Sequence, residues 1–284
     1  MTISTWLSYA KDKLETAGIG TARLDSQILL ADMLQHDRGW IMAHLDTTIT
    51  EETRTELDKQ LSERTNHVPL AYIRKKTEFY GREFYIDKRV LEPRPESETM
   101  IDILKKIPDV EHNAEIIDVG TGSGALAITA KLEIPNVKVC ATDIDSGCLD
   151  VAKQNATKYQ VDIDFRRGDL LEPISDISDI AIITLANLPY VPEEFQINPA
   201  AMQEPHTAIF GGIDGLDLYR KLFAQAARFI HRPRFILTEA MPPQHRALTL
   251  IGARHGFRMI KADDFIQVFQ GGHTQGLAYA NASE

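Results

Sequence analysis

The first 75 residues carry apolar positions at helical spacing. In "STWLSYAKDKLETAG", Leu7, Ala10 and Leu14 fall on one face and Gly18 is a stop signal. "ARLDSQILLADMLQHD" is a second amphipathic segment. "TITEETRTELDKQLSERTNH" opens on Thr50 as an N-cap, has Glu51 and Glu52 in its first turn, and places Leu57 and Leu61 together. The expectation is a small helical bundle over 1–75. The pattern changes at "TEFYGREFYIDKRVLEPRP", where aromatic and β-branched residues flank Gly81-Arg82 and predict a short hairpin. Pro93 and Pro95 then keep the backbone extended, and Ser97 or Glu98 can open the next helix. This stretch, 76–98, reads as hairpin and linker, either a simple hinge or part of a site.

From residue 115 onward strand and helix alternate. "AEIIDVG", "KVCATDID", "DIDFRRGDL", "IAIITLANLPY" and "FILTEA" read as strands; "GALAITAKLEI" and "SGCLDVAKQNATKY" read as helices. Alternation at this spacing predicts a doubly wound, mostly parallel α/β sheet covered on both faces, as a third region over 99–284. Ligands then lie beyond the carboxyl ends of the strands.

Composition narrows the class. The chain has 284 residues, 43% hydrophobic and 25% charged, with a formal net charge of −10. That balance gives no general attraction to nucleic acid or anionic lipid. Two cysteines, Cys140 and Cys148, make neither a disulfide framework nor a metal-ligand pattern, and no metal is expected; a reducing, cytoplasmic compartment is. The N-terminal stretch lacks a basic start and a long apolar core, so no secretory leader is expected, and no apolar run approaches the roughly 18 residues of a membrane span.

The chemistry sits at the strand ends. "IIDVGTGSGALAI" contains Gly120, Thr121, Gly122, Ser123 and Gly124, a turn that lets backbone approach a ligand closely. Asp143 ends the second strand about 20 residues further on, where a carboxylate can accept from both ribose hydroxyls of a nucleoside. Asp118, two residues before the first glycine, would repel a pyrophosphate. It suits a cationic ligand, such as the amino group and sulfonium of S-adenosylmethionine. In "GDLLEP", Asp169 could accept from the adenine amino group, or merely cap a turn, and Leu170 could cover the ring.

The fourth strand ends in Asn187-Leu188-Pro189-Tyr190. A planar NH2 group, of a carboxamide or of adenine N6, is a weak nucleophile because its lone pair is delocalised. The Asn187 side-chain oxygen can take one N–H and the Leu188 carbonyl the other, with Pro189 fixing the backbone and Tyr190 supplying a flat wall. Acceptors placed in advance stabilise the positive charge that builds on the nitrogen during attack. Arg94 could reach the substrate or a cofactor carboxylate, or pair with Glu96 or Glu98. In "GGIDGLD", Gly211, Gly212 and Gly215 serve backbone geometry ahead of a helix beginning near Leu216.

With these residues in view the chain resembles the class I, Rossmann-like S-adenosylmethionine-dependent methyltransferases, and among them the release factor glutamine N5-methyltransferases. The resemblance runs through "ARLDSQILL", "PLAYIRKKTEFYGREFYIDKRVLEPRPESE", "DVGTGSG", "ATDID", "GDLLEP", "NLPY" and "QEPHTAIFGGIDGLDLYRKL". It implies a seven-stranded sheet and methylation of the glutamine in the Gly-Gly-Gln motif of peptide-chain release factors, yielding S-adenosylhomocysteine. It implies a helical domain that helps bind the release factor. It places Gly120 to Gly124, Asp143, Leu170 and Asn187 at the donor, and Asn187 to Tyr190 at the glutamine amide. Three departures stand out. The family usually has Asn-Pro-Pro-Tyr where Leu188 occurs, and Asn-Leu-Pro-Tyr also occurs in rRNA adenine dimethyltransferases. Glu-Ile-Gly is here Glu239-Ala240-Met241. "DDFIQVFQGG" lacks the usual glycine and arginine after the aspartate. The competing readings are an N6-adenine methyltransferase acting on nucleic acid and a donor-binding protein without activity. Glu193 and Glu194 beside the motif, with no Lys/Arg cluster there, disfavour direct nucleic-acid binding; retention of the glycine loop, Asp143 and Asn187 disfavours the inactive protein.

Overall fold

A computed structural model describes residues 1–108, 110, 114–174 and 181–272. They fall into two compact units, one of Met1–Thr77, Ile86–Lys88 and Gln196–Pro205, the other of Glu78–Tyr85, Arg89–Phe195 and His206 onward.

The first unit is helical: α1 (Ile3–Thr16), α2 (Ala22–Leu34), α3 (Arg38–Ala43), α4 (Glu51–Thr65) and α5 (Leu70–Arg74). The buried stripe of α1 is Ile3, Trp6, Ala10 and Leu14. Leu7 is only half-buried, because Trp6 takes the inward position and its indole N–H reaches Asp58 at 3.1 Å. Thr50 caps α4 as expected, its hydroxyl accepting from the Thr53 N–H at 3.1 Å, and Leu57 and Leu61 are both buried. A buried Arg64–Asp25 pair at 2.8 Å ties α4 to α2. The two short helices α3 and α5 have too few turns to show a periodicity in sequence.

The hairpin pairs β1 (Lys76–Phe79) with β2 (Arg82–Tyr85). Its turn is Tyr80-Gly81, one residue earlier than expected, and both residues have positive φ, 52° and 68°, the geometry of a two-residue hairpin turn.

In the second unit a seven-stranded sheet comprises β3 (Ala114–Val119), β4 (Lys138–Asp143), β5 (Asp164–Arg167), β6 (Ala181–Ala186), β7 (Phe235–Glu239), β8 (Phe257–Asp263) and β9 (Ile266–Gly271), in the order β5-β4-β3-β6-β7-β9-β8. The first five strands in that order are parallel, and β9 runs antiparallel to both neighbours. The helices are α6 (Glu98–Leu104), α7 (Ala125–Glu133), α8 (Ser146–Tyr159), α9 (His206–Ile209), α10 (Asp217–Ala226) and α11 (His245–Arg254). Successive strand residues feed opposite cores: Ile116 packs with Met100, Ala127 and Ile128 of α6 and α7, whereas Ile117 joins Tyr219, Phe223 and Leu248 of α10 and α11. This is the doubly wound, mostly parallel architecture expected, with hairpin and helical bundle. The pattern of apolar residues revealed five strands and missed β8 and β9; β8 is largely exposed, whereas β9 is mostly buried and joins the sheet antiparallel, outside the strand–helix alternation.

The order reverses at β3, flanked by β4 on one side and β6 on the other. Asp118 pairs in register with Leu185, so Gly120 and Asn187 leave the sheet at the same level, at its switch point. Among the described residues no helix is long and apolar enough to cross a membrane.

Candidate active site

One half of the site is the turn after β3. Gly120, Gly122 and Gly124 all have positive φ, 69°, 54° and 80°. The Gly120 and Thr121 N–H groups both donate to the Thr142 carbonyl, at 2.9 and 3.0 Å, which folds the turn over β4. The Gly122 N–H donates to Asp143 Oδ2 at 3.0 Å, and the Asp145 N–H to Asp143 Oδ1 at 2.9 Å. Loop and acidic partner are thus one construction, although 21 residues separate them. Ser123 is buried, and its carbonyl accepts from Asn155 Nδ2 at 2.9 Å.

Asp118 lies beneath this loop and is buried. Its Oδ2 accepts from the Thr121 hydroxyl at 2.6 Å and from the Ala127 N–H at 3.2 Å. Burial outweighs both bonds and pushes the carboxyl up to about 6. Burial also raises the carboxyl of Asp143. Nothing lies within 4 Å of the position a Cβ would take on Gly122, so the loop presents bare backbone to open space.

Leu170 is buried beside Thr142, whose hydroxyl donates to the Leu170 carbonyl at 2.8 Å. Its φ is 55°, a left-handed conformation that costs a leucine about 1–3 kcal/mol and collects at ligand sites. Asp169 carries an ion pair to Lys221 through Oδ2.

The other half is the exit of β6. Asn187 Nδ2 donates to Ser97 Oγ at 2.8 Å, the Ser97 hydroxyl donates to Glu239 Oε2 at 2.6 Å, and the Tyr190 hydroxyl donates to Glu239 Oε1 at 3.1 Å. With Nδ2 committed to Ser97, the opposite end of the Asn187 amide is its oxygen, which has no protein donor among the described residues. Glu239 is fully buried at the end of β7, and burial pushes its carboxyl up to about 7. The same burial, with Glu239 beside it, raises the Tyr190 phenol far above its ordinary range.

Leu188 is buried, and its side chain lies against the glycine loop: a Cβ on Gly120 would sit 3.0 Å from Leu188 Cδ2. The Leu188 N–H donates to the Tyr219 hydroxyl at 3.2 Å. That hydroxyl has one proton, and the carbonyls of Glu239 and of Ala186, the latter at 3.2 Å, both lie closer to it than the Leu188 carbonyl does. The Leu188 carbonyl, 3.5 Å away from Tyr219 Oη, therefore keeps its accepting capacity.

Pro189 and Tyr190 run against the 211–215 loop. A Cβ on Gly211 would fall 2.2 Å from the Pro189 carbonyl oxygen, and one on Gly215 would fall 2.0 Å from that of Tyr190. Only glycine permits this approach. Gln244 Nε2 locks it by donating to the Tyr190 and Asp214 carbonyls at 2.7 and 2.9 Å. Helix α10 follows with Leu216 as its N-cap, where the sequence pattern places a helix start. Arg94 lies 3.9 Å from Glu92 and close enough to Glu239 and Tyr190 to influence both.

The fold therefore gathers Asp118, Gly120 to Gly124 and Asp143 on one side and Asn187 to Tyr190 on the other, joined where Leu188 meets Gly120. Sequence reasoning missed Ser97, Tyr219, Gln244 and the placement of Glu239. The one available signal was a carboxylate closing the otherwise apolar "FILTEA".

Residues 5–74 match the family model described as PrmC N-terminal domain, and residues 96–203 match the methyltransferase small domain. The chain is 34% identical over 229 residues to a release factor glutamine methyltransferase of Koribacter versatilis, covering 79% of this chain and 81% of that one. It is 34% identical over 245 residues to that of Bacillus subtilis, covering 84% of each chain. Among solved structures, the hMettl16 catalytic domain in complex with MAT2A 3′UTR hairpin 1 shares the fold, with a TM-score of 0.54 at 14% identity over 91% of this chain and 95% of that one. Identity of this extent, spanning helical and sheet regions together, shows that the chain belongs to the release factor glutamine methyltransferase family.

Proposed function

We propose that the protein transfers a methyl group from S-adenosylmethionine to the side-chain amide nitrogen, N5, of the glutamine in the Gly-Gly-Gln motif of peptide-chain release factors. The observation that carries this reading is the Asn187 amide: Nδ2 is bound to Ser97, leaving Oδ1 as an acceptor at the strand end beside the glycine loop.

The residues fit the donor. The bare backbone at Gly122 is a cradle that any side chain would fill, and the two raised carboxyls of Asp118 and Asp143 are those that a cationic nucleoside would relieve. Asp143 would hold the ribose, Asp118 would face the positive charge through the loop it supports, and Leu170 would cover the base, with Asp169 and Thr121 to Ser123 framing the pocket. The bound donor supplies a methyl group on a sulfonium, activated for displacement.

The chain's own residues supply alignment. Asn187 Oδ1 and the Leu188 carbonyl each accept one N–H of the glutamine amide, which fixes the amide plane so that the face carrying the nitrogen lone pair is turned toward the methyl. As the C–N bond forms and the methyl–sulfur bond breaks, its electron pair staying on sulfur, positive charge builds on nitrogen and strengthens both hydrogen bonds, so they favour the transition state over the ground state. Pro189 and Tyr190 keep the carbonyl in place, with Arg94 at the edge of the substrate site. The amide proton passes to solvent after transfer, because a methylated, protonated amide is strongly acidic, so no dedicated base is needed.

The test is to incubate the protein with methyl-labelled donor and either a release factor or bulk RNA. The expected outcome is label on the release factor, located by mass spectrometry on the motif glutamine. Label on RNA alone would support the adenine-directed reading instead.

A further inference from the structure

We propose that Glu239 is a positioning residue that acts through Ser97 to fix which end of the Asn187 amide faces the substrate. The inference rests on the reading of Asn187 as an acceptor for the glutamine amide.

Four groups make one line: Asn187 Nδ2 to Ser97 Oγ at 2.8 Å, Ser97 Oγ to Glu239 Oε2 at 2.6 Å, and Glu239 Oε1 to the Tyr190 hydroxyl at 3.1 Å. An asparagine amide is nearly symmetric in shape, so packing alone distinguishes its oxygen from its nitrogen poorly. The proton order along the line makes the distinction. An ionised Glu239 only accepts, so Ser97 must give it its single proton. The Ser97 oxygen is then left as an acceptor, and only the NH2 end of Asn187 satisfies it. The acceptor oxygen is thereby turned to the side where a substrate amide can meet it.

A proton on Glu239 Oε2 undoes this order: it donates to Ser97, whose own proton then points toward Asn187 and calls for the oxygen end. A proton on Oε1 would reverse only the Tyr190 contact, turning that hydroxyl into an acceptor and leaving Ser97 as it is, so the switch is the protonation of Oε2. Burial has already brought the Glu239 carboxyl up to about 7, so the switch falls within an ordinary pH range. The groups facing Glu239 are Ser97 and, from the same segment, Arg94 and Glu96; Tyr190 beyond β6; and Tyr219 of α10, which binds the Glu239 carbonyl rather than its carboxyl. His245 contacts the neighbouring Ala240 carbonyl at 3.2 Å. Of these, Glu96 disfavours ionisation of Glu239, while Arg94 and the two hydroxyl donors on its carboxyl favour it.

Two readouts test the role, and the first does not depend on activity. The side-chain amide signal of Asn187, identified in a 15N-correlated spectrum by its loss in Asn187→Ala, should titrate in the wild-type protein with a midpoint near 7. The titration should vanish in Ser97→Ala and in Glu239→Gln. In the second readout, kcat for methyl transfer at saturating donor should rise through the same midpoint in the wild type. Ser97→Ala should lower kcat by about 10- to 100-fold, the scale of a misaligned reacting group, and abolish that limb. Ser97→Thr, which keeps the hydroxyl, should restore both. An unchanged Asn187 titration in Ser97→Ala, or wild-type kcat and pH profile in that variant, overturns the proposal. Absence of any transfer to release factor by the wild type would instead remove the functional reading, and the amide titration would still decide the relay.

Discussion

Leu188 donates its backbone N–H to the buried hydroxyl of Tyr219 at 3.2 Å. The family usually has proline here, which holds the backbone by its ring and has no N–H to place. In this chain a tyrosine from α10 supplies the constraint: its hydroxyl receives the Leu188 N–H and donates to the Glu239 carbonyl, binding the exits of β6 and β7 together. Tyr219→Phe leaves a buried N–H and a buried carbonyl unpaired. It should lower stability by about 1–3 kcal/mol, read as a reduced urea midpoint, and lower kcat more than it changes donor affinity. Unchanged kcat would show that the leucine backbone holds itself.

If Asp118 faces the donor as proposed, donor binding depends on pH. Its carboxyl is raised from 3.8 to about 6, so the folded chain holds this proton more tightly than the unfolded chain does. Stability from this group is therefore present at low pH and is lost as pH rises through that window. At pH 7 the ligand-free protein carries an ionised, buried carboxylate, and Asp118→Asn should stabilise it by about 1–2 kcal/mol while weakening donor binding. In the wild type, calorimetric donor affinity should fall below pH about 6 by up to roughly tenfold per unit, as protonation removes the charge that faces the cation. Affinity flat between pH 5 and 8 would show that Asp118 serves only the loop.

Gly215 tests whether the wall behind the motif matters. An alanine Cβ there would fall 2.0 Å from the Tyr190 carbonyl oxygen, at a backbone φ of 78° that L-residues resist. Gly215→Ala should force the Tyr190 backbone away and reduce methyl transfer by at least tenfold, by the same alignment argument, with donor binding retained because the glycine loop is untouched. Simultaneous measurement of turnover and donor affinity separates this from global unfolding.

The two halves of the site were legible in sequence to different degrees. The donor side is written locally: a strand, three glycines and an acidic residue one strand later, each constrained by backbone geometry that few residue types allow. The Asn187 end could be read because an amide, a proline and an aromatic ring interrupt an apolar run. What surrounds them could not. Ser97 reads as a helix start, which it also is, and Glu239 as an altered tail motif, and 142 residues separate them. Nothing in a local pattern announces a contact made by the closing of a sheet. The same holds for the helical unit, where Trp6 displaced Leu7 from the expected stripe because of a partner, Asp58, on another helix. Strand β8 was hidden for the opposite reason, since its exposed residues lack the apolar signature of the parallel strands.

The most direct test of the central claim is the rate of labelled methyl transfer to a release factor by Asn187→Ala at saturating donor, with donor affinity measured on the same preparation. Removing one of two acceptors that stabilise the developing charge should lower kcat by about 10²–10³-fold, while donor binding, though weakened, stays measurable. A variant that transfers methyl at the wild-type rate would contradict the account.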